Sequence, residues 1–165
     1  MKTKLIVSLC AAALVLATAA VAADPIKGTP GNDTIAGTAG NDVILALAGD
    51  DVVTADAGND RIRGGEGNDT ISGNDGNDAV HGGRGDDVGS GDAGNDRMWG
   101  GAGADSLYGG DGNDKLHALA ADKVLDVLDC GEGRDVAYVR AGEEVQLVSC
   151  ERVITLTASS ADESA

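Results

Sequence analysis

From Gly28 to His117 the apolar residues recur with a fixed period, one at every ninth position. The series reads Ile35, Ile44, Val53, Ile62, Ile71, Val80, Gly89, Met98, Leu107 and Leu116, and Gly89 alone breaks it. Ten blocks of nine residues therefore follow one another without a gap, beginning at Gly28, Gly37, Ala46, Ala55, Gly64, Gly73, Gly82, Gly91, Gly100 and Gly109. Self-similarity at a strict period marks a repeat architecture and is read before any local feature. Within a block the apolar residue is eighth, flanked by Thr, Val, Ser, Ala or Arg, as in Thr34-Ile35-Ala36 and Arg61-Ile62-Arg63. Strand side chains alternate in direction, so these triplets predict very short strands with the eighth residue inward and the seventh and ninth outward. Met98 or Val80 is expected to fill the space that Gly89 leaves. The first six positions are dominated by Gly, Asn and Asp, residues that accept tight turns and left-handed backbone.

Two positions never change. Gly is fourth and Asp is sixth in all ten blocks, whereas the fifth exchanges Asn, Asp and Ala. An Asp that only capped a turn would be replaced by Asn or Ser in some copies. Invariance at the sixth position points instead to a need for the carboxylate charge. Carboxylates with turn carbonyls form the all-oxygen environment that calcium takes, with six to eight ligands in flexible geometry.

The pattern Gly-Gly-x-Gly-x-Asp-x-apolar-x, clearest from Gly64, Gly82, Gly100 and Gly109, resembles the RTX, or hemolysin-type, calcium-binding nonapeptide repeat. That resemblance implies an all-β fold: a parallel β-roll, a two-sheet solenoid with two nonapeptides per coil and turns stacked along two edges. It implies calcium between stacked turns, with carboxylate oxygen from Asp33, Asp42, Asp51, Asp60, Asp69, Asp78, Asp87, Asp96, Asp105 and Asp114. Five turns on each edge leave four gaps per edge, hence up to about eight calcium ions. Thr29 and Thr38 at the second position, Ala46 and Ala55 at the first, Leu47 at the second and Ala104 at the fifth depart from the pattern. Most of these departures lie in the amino-terminal blocks, where occupancy is expected to be weakest.

Consecutive blocks on opposite sheets give two unlike faces. Even blocks present Arg61, Arg63, His81, Arg97, Trp99, Lys115 and His117 outward; odd blocks present small, uncharged Thr, Ser, Val and Ala with Tyr108. The basic face either balances the acidic turns or forms a ligand face for an acidic polysaccharide or cell-surface glycan. In the second reading Arg61, Arg63 and Arg97 hold the anion and Trp99 is a stacking platform.

Residues 1–22 read as a cleavable signal peptide: Lys2 and Lys4, an apolar run from Leu5 to Thr18, then Ala20-Val21-Ala22. The run is short for a bilayer span and Asp24-Pro25 follows it, so no membrane span is expected. The expectation is an extracellular or periplasmic protein. Loss of Lys2 and Lys4 moves the formal charge from −16 to −18, and a chain with no Phe, one Trp and two Tyr has little apolar surface to oppose that repulsion. Eight divalent ions would bring it to about −2, so the ions are expected to drive folding. Residues 23–27 lead into the ten-repeat roll at 28–117, which is followed by a carboxy-terminal cap at 118–157 and an acidic tail at 158–165. The cap carries strands near Val124–Leu128 and Val145–Val148, a degenerate eleventh block from Cys130 to Tyr138 with Asp135 in its sixth position, and a Cys130–Cys150 disulfide. Neither a His-Glu-x-x-His nor a Gly-x-Ser-x-Gly motif occurs, and no enzymatic activity or nucleic-acid partner is expected.

Overall fold

The computed structural model describes residues 13–16 and 24–157. The predicted leader, apart from Ala13–Leu16, and the tail at 158–165 lie outside the described residues. Among the described residues seventeen strands and no helix form two parallel sheets, as a β-roll requires. One sheet runs β1 (Ala13–Leu16), β3 (Asp33–Ala36), β5 (Val52–Thr54), β7 (Thr70–Ser72), β9 (Val88–Ala93), β11 (Ser106–Gly112), β13 (Asp126–Asp129), β16 (Val145–Val148), with β14 (Glu132–Gly133) pairing β11. The other runs β2 (Ile26–Lys27), β4 (Val43–Ala48), β6 (Arg61–Glu66), β8 (Ala79–Arg84), β10 (Arg97–Ala102), β12 (Lys115–Ala118), β15 (Val136–Arg140), β17 (Arg152–Leu156). Odd and even blocks therefore lie on opposite sheets.

Register follows from the period. Thr34 pairs with Val52, Val52 with Thr70, Arg61 with Ala79 and Ala79 with Arg97, so equivalent positions two blocks apart are neighbours. Each eighth-position side chain consequently stacks on its equivalents. Ile35, Ile44, Val53, Ile62, Ile71, Val80, Met98, Leu107 and Leu116 are all buried and form the core between the sheets. Gly89 leaves a space closed by Met98 and Leu107: a methyl group there would meet Met98 Cε at 3.1 Å and Leu107 Cδ2 at 3.2 Å. Of the two expected fillers Met98 lies nearest, Leu107 joins it, and Val80 Cγ1 stands further off at 3.7 Å.

The fourth-position glycine is fixed by approach and by backbone conformation together. At Gly76, with φ of +142°, a methyl group would sit 1.7 Å from the Gly58 carbonyl oxygen of the preceding turn. No side chain fits between turns this close. The second position is less strict, since Leu47 (φ +93°), Asp56, Asn74 and Asp92 occupy the left-handed region there. These four carry a backbone cost that glycine at Gly65, Gly83 and Gly101 avoids.

Beyond His117 the roll lengthens. Three extra residues loop out, and β13 and β15 then join their sheets with Ser106 paired to Val127 and Lys115 to Val136. One more coil follows in β16 and β17, and β17 had no counterpart in the sequence reading. Its inward-position residues Leu147 and Val153 remain 37% and 44% exposed among the described residues. The carboxy-terminal segment thus continues the coil rather than lying across its end. Cys130 and Cys150 are disulfide-bonded, which ties this last coil to the turn beneath it.

Met98 serves two coils by filling its own layer and the space beside Gly89. Met98→Ala is expected to cost about 3 kcal/mol, more than Val80→Ala, in denaturant unfolding of the calcium-loaded protein.

Candidate calcium-binding turns

Each sixth-position Asp lies at the junction of turn and strand, with its carboxylate folded in under the turn. All ten are buried, at 1–5% exposure. Their two oxygens do different things. Oδ1 accepts the backbone N–H of the sixth-position Asp one coil earlier: Asp69 from Asp51 at 2.9 Å, Asp78 from Asp60 at 2.8 Å, Asp87 from Asp69 at 2.8 Å, Asp96 from Asp78 at 2.8 Å. Each edge of the roll is thereby a continuous ladder of carboxylates and amides. Oδ2 of Asp51, Asp60, Asp69, Asp78, Asp87, Asp96, Asp105 and Asp114 is buried with no hydrogen-bond partner. An orphaned buried oxygen is costly unless something satisfies it.

In the blocks from Gly64 onward that oxygen faces the cradle left by the first-position glycine. A methyl group at Gly64 would lie 2.1 Å from Asp69 Oδ2 and 2.8 Å from the Gly82 carbonyl oxygen. At Gly82 the corresponding distances are 2.3 Å to Asp87 Oδ2 and 2.6 Å to the Gly100 carbonyl, and at Gly91 they are 2.3 Å to Asp96 Oδ2 and 2.6 Å to the Gly109 carbonyl. A carboxylate oxygen and a carbonyl oxygen from the next turn therefore converge on one small space. No group of three or more His, Cys, Asp or Glu side chains occurs among the described residues. A cation here must draw most of its ligands from backbone carbonyls, which suits a hard, oxygen-seeking ion such as calcium.

The two leading blocks are different. Thr38 donates its N–H at 2.7 Å and its hydroxyl at 2.9 Å to Asp42 Oδ2. Thr29 likewise donates its N–H to Asp33 Oδ2 and its hydroxyl to Asp33 Oδ1. Threonine hydrogen atoms satisfy these two carboxylates, so Asp33 and Asp42 cap their turns and lack the orphaned oxygen of the other eight. Two acids extend the ladders at the opposite end. Asp126 Oδ1 accepts the N–H of Asp105 at 3.0 Å, and Asp135 Oδ1 that of Asp114 at 2.8 Å. Asp135 also has an orphaned Oδ2. Asp126 escaped the sequence reading because three inserted residues shift it out of the nine-residue frame. Asp126-Val127-Leu128 nonetheless keeps the Asp-x-apolar order of positions six to eight.

Burial raises the proton affinity of these acids, and like charges in the stack raise it further. Asp51, Asp60, Asp87 and Asp114 are pushed up to about 6, and Asp96 and Asp105 to about 7, with burial the largest cause in each. Asp69, Asp78 and Asp126 are raised for the same first reason. Bonds from neighbouring amides oppose the rise without cancelling it.

The basic face has the expected members, with one change of role. Arg61, Arg63, Arg97, Lys115, His81, Trp99 and His117 share the outer surface of the second sheet. Trp99 is stacked on both sides, with His81 at 4.2 Å and His117 at 4.9 Å between ring centroids, and Tyr138 continues the stack at 4.5 Å from His117. Both faces of the indole are covered, so Trp99 offers an edge and cannot be the stacking platform that its sequence position suggested.

Fold, ladder and oxygen cradles together define a calcium-binding β-roll. The RTX calcium-binding nonapeptide repeat model matches residues 27–62, 54–89 and 90–122, and the chain belongs to that family. Comparison with curated proteins finds no match.

Two outcomes test the cradle. Ala46 and Ala55 put a methyl group where the later blocks have none, so Ala46→Gly is expected to strengthen calcium binding and Gly82→Ala to weaken it. Each effect should be roughly tenfold, about 1.4 kcal/mol, in a calcium titration followed by circular dichroism. The acids give the sign of a pH effect. Their folded-state affinities for protons exceed the unfolded ones, so the metal-free roll is most stable below the ordinary Asp value of 3.8 and loses stability as pH rises through about 6 to 7. In chelator, strand signal should therefore be stronger near pH 4 than near pH 8; calcium should reverse that order.

Proposed function

We propose that the chain is an exported, non-enzymatic protein whose β-roll folds when calcium enters its turns. The observation that carries this reading is the set of eight buried, unpartnered Oδ2 atoms from Asp51 to Asp114, of which six, from Asp69 onward, face a glycine cradle. At neutral pH these stacked carboxylates can be satisfied by protons or by a cation. Successive coils are ~4.8 Å apart. Two unit charges at that separation repel by ~3 kcal/mol at an effective dielectric constant of about 20. Every added coil adds such a contact on each edge. One apolar side chain per nine residues is a thin core to set against this repulsion and the loss of chain entropy.

Calcium changes the sign of the interaction along the ladder. The sixth-position carboxylates and the turn carbonyls would hold the ion, whose positive charge would turn the term that separates coils into one that joins them. Up to about eight ions fit this scheme, held by Asp51, Asp60, Asp69, Asp78, Asp87, Asp96, Asp105 and Asp114, with Asp135 as a further carboxylate at the end. Oxygen sites of this kind in extracellular modules bind at roughly 10⁻⁴ to 10⁻³ M. That range suits a protein kept unfolded where calcium is scarce and folded once outside. The amino-terminal signal-like segment and the Cys130–Cys150 pair support export to the periplasm or the exterior.

In chelator at neutral pH the chain is expected to lack strand signal by circular dichroism. Calcium added through the millimolar range should produce it cooperatively, and magnesium should not, because its demand for short octahedral bonds is poorly met by carbonyls in flexible turns. Full strand signal in excess chelator at pH 7.5 would show that the roll folds without the ion.

A further inference from the structure

The two edges of the roll differ at the fifth position of the turn. On one edge Asn32, Asp50, Asn68, Asp86 and Ala104 follow one another; on the other every residue is asparagine, from Asn41 through Asn59, Asn77 and Asn95 to Asn113. These five side chains form an amide ladder. Asn59 Oδ1 accepts both the backbone N–H and the Nδ2–H of Asn77, at 2.8 and 2.9 Å, and Asn77 Oδ1 accepts the same pair from Asn95 at 2.9 Å each. Asn113 repeats the arrangement on Asn95. Each of Asn59, Asn77 and Asn95 thus has its acceptor oxygen consumed by two bonds inside the ladder. One amide hydrogen of Asn77, Asn95 and Asn113 is left over to donate outward. The fifth-position row of this edge is thus a row of donors, while Asp56, Asp75, Asp92 and Asp111 stand at the second and third positions of the same turns.

Beside this ladder lies a shallow groove of about 580 Å³, running across the strands. Its other wall is the seventh-position row of the second sheet, in which Arg61 and Arg97 flank the small Ala79. Both arginines are exposed. The single ion pair among the described residues is Arg84 with Glu66, on a different part of the surface, so neither Arg61 nor Arg97 is spent on a turn carboxylate. The opposite sheet carries no cation at the outward positions of β3, β5, β7, β9 and β11.

We propose that this groove binds a linear acidic polysaccharide, with carboxylates on Arg61 and Arg97 and sugar oxygens on the amide ladder. Four features select that ligand. Ladder amides and guanidinium groups are all donors, so the ligand must be rich in acceptors. The groove spans four successive coils along the roll axis, from Asn41 to Asn95, which suits a chain. Arg61 and Arg97 stand two strands apart, ~9.6 Å, close to the advance of one disaccharide in an extended polymer with one carboxylate in every second sugar. Nucleic acid is disfavoured by the adjoining rings: His81, Trp99, His117 and Tyr138 cover one another's faces and leave no platform between them for a base. The proposal rests on the calcium reading, because the charges of Asp60 and Asp78, which line the groove, must be offset before a polyanion can approach, while Asp42 there is held by Thr38.

Hyaluronan is a fitting probe, carrying one carboxylate per disaccharide. Calcium-loaded wild-type protein should be retained on immobilised hyaluronan and released by salt, while neutral dextran should not retain it. Arg61→Ala/Arg97→Ala should weaken binding at least about tenfold with an unchanged calcium-induced strand signal. Asn77→Asp, which turns a donor into a charged acceptor, should weaken it as well. Arg84→Ala, away from the groove, should bind as wild type does. Failure of the folded wild-type protein to bind hyaluronan, or full binding by the double variant, overturns the proposal. Equal or tighter binding of single-stranded DNA overturns the assignment to polysaccharide. The strand signal reads the calcium response separately: loss of that response would refute the calcium reading, and absence of hyaluronan binding with the response intact would refute only the groove.

Discussion

From Asp69 to Asp114 the sixth-position carboxylate has one oxygen tied to the coil before it and the other aimed at a first-position glycine with no side chain. The rest of the structure depends on that division. The Oδ1 bond to the preceding Asp N–H sets the height of each turn on its neighbour, which in turn fixes strand register and stacks the eighth-position residues into a core. Oδ2 is then buried as a consequence, without a protein partner. Protons and cations compete to satisfy it. A proton removes the charge and adds no further link to the ladder, whereas a divalent ion held by the carboxylate and the turn carbonyls would offset the charge and join the coils more firmly. At neutral pH the ion has the advantage, because even the most perturbed acids, at about 7, are then substantially deprotonated.

Glycine enters this scheme for two separate reasons. At the fourth position it is needed by the chain itself, since at Gly76 a methyl group would overlap the Gly58 carbonyl. At the first position the chain tolerates alanine, as Ala46 and Ala55 show while remaining fully buried. What alanine removes there is the open space beside Oδ2. Thr29 and Thr38 alter the balance in another way by giving Asp33 and Asp42 internal donors. The amino-terminal coils thus retain the fold while losing features of the site, and such coils could order with less help from calcium than those after Gly64.

Much of this was legible in the sequence because a strict period converts position in the chain into position in space. Knowing the frame, one reads Ile62 as core, Asp69 as edge and Arg61 as outer face without further information. The frame fails where its length changes. Three additional residues before Asp126 hide a sixth-position acid, and the shorter step to β17 hides the last strand. It also fails where function depends on contact between copies of a position. That His81, Trp99, His117 and Tyr138 share a column could be deduced, but not that their rings lie nearly parallel and seal one another's faces. Similarly, five asparagines at one position read as turn formers, and only the bond directions show a ladder with its acceptors consumed.

The edges of the roll illustrate how a repeat can separate two tasks. Both edges have the same Asp ladder and the same cradles, so cation binding is duplicated. The fifth position stands outside that chemistry, exposed and free to vary. On one edge it carries Asp50 and Asp86, whose second oxygens remain acceptors; on the other, unbroken asparagine gives donors alone. At the fifth position the edges therefore differ in polarity, although the second and third positions of the asparagine edge carry Asp56, Asp75, Asp92 and Asp111. Once cations offset the buried Asp charges, the row of amide donors next to Arg61 and Arg97 is the strip on which a polyanion can lie, with Asp92 and Asp111, on strands of the first sheet, across the turn from it.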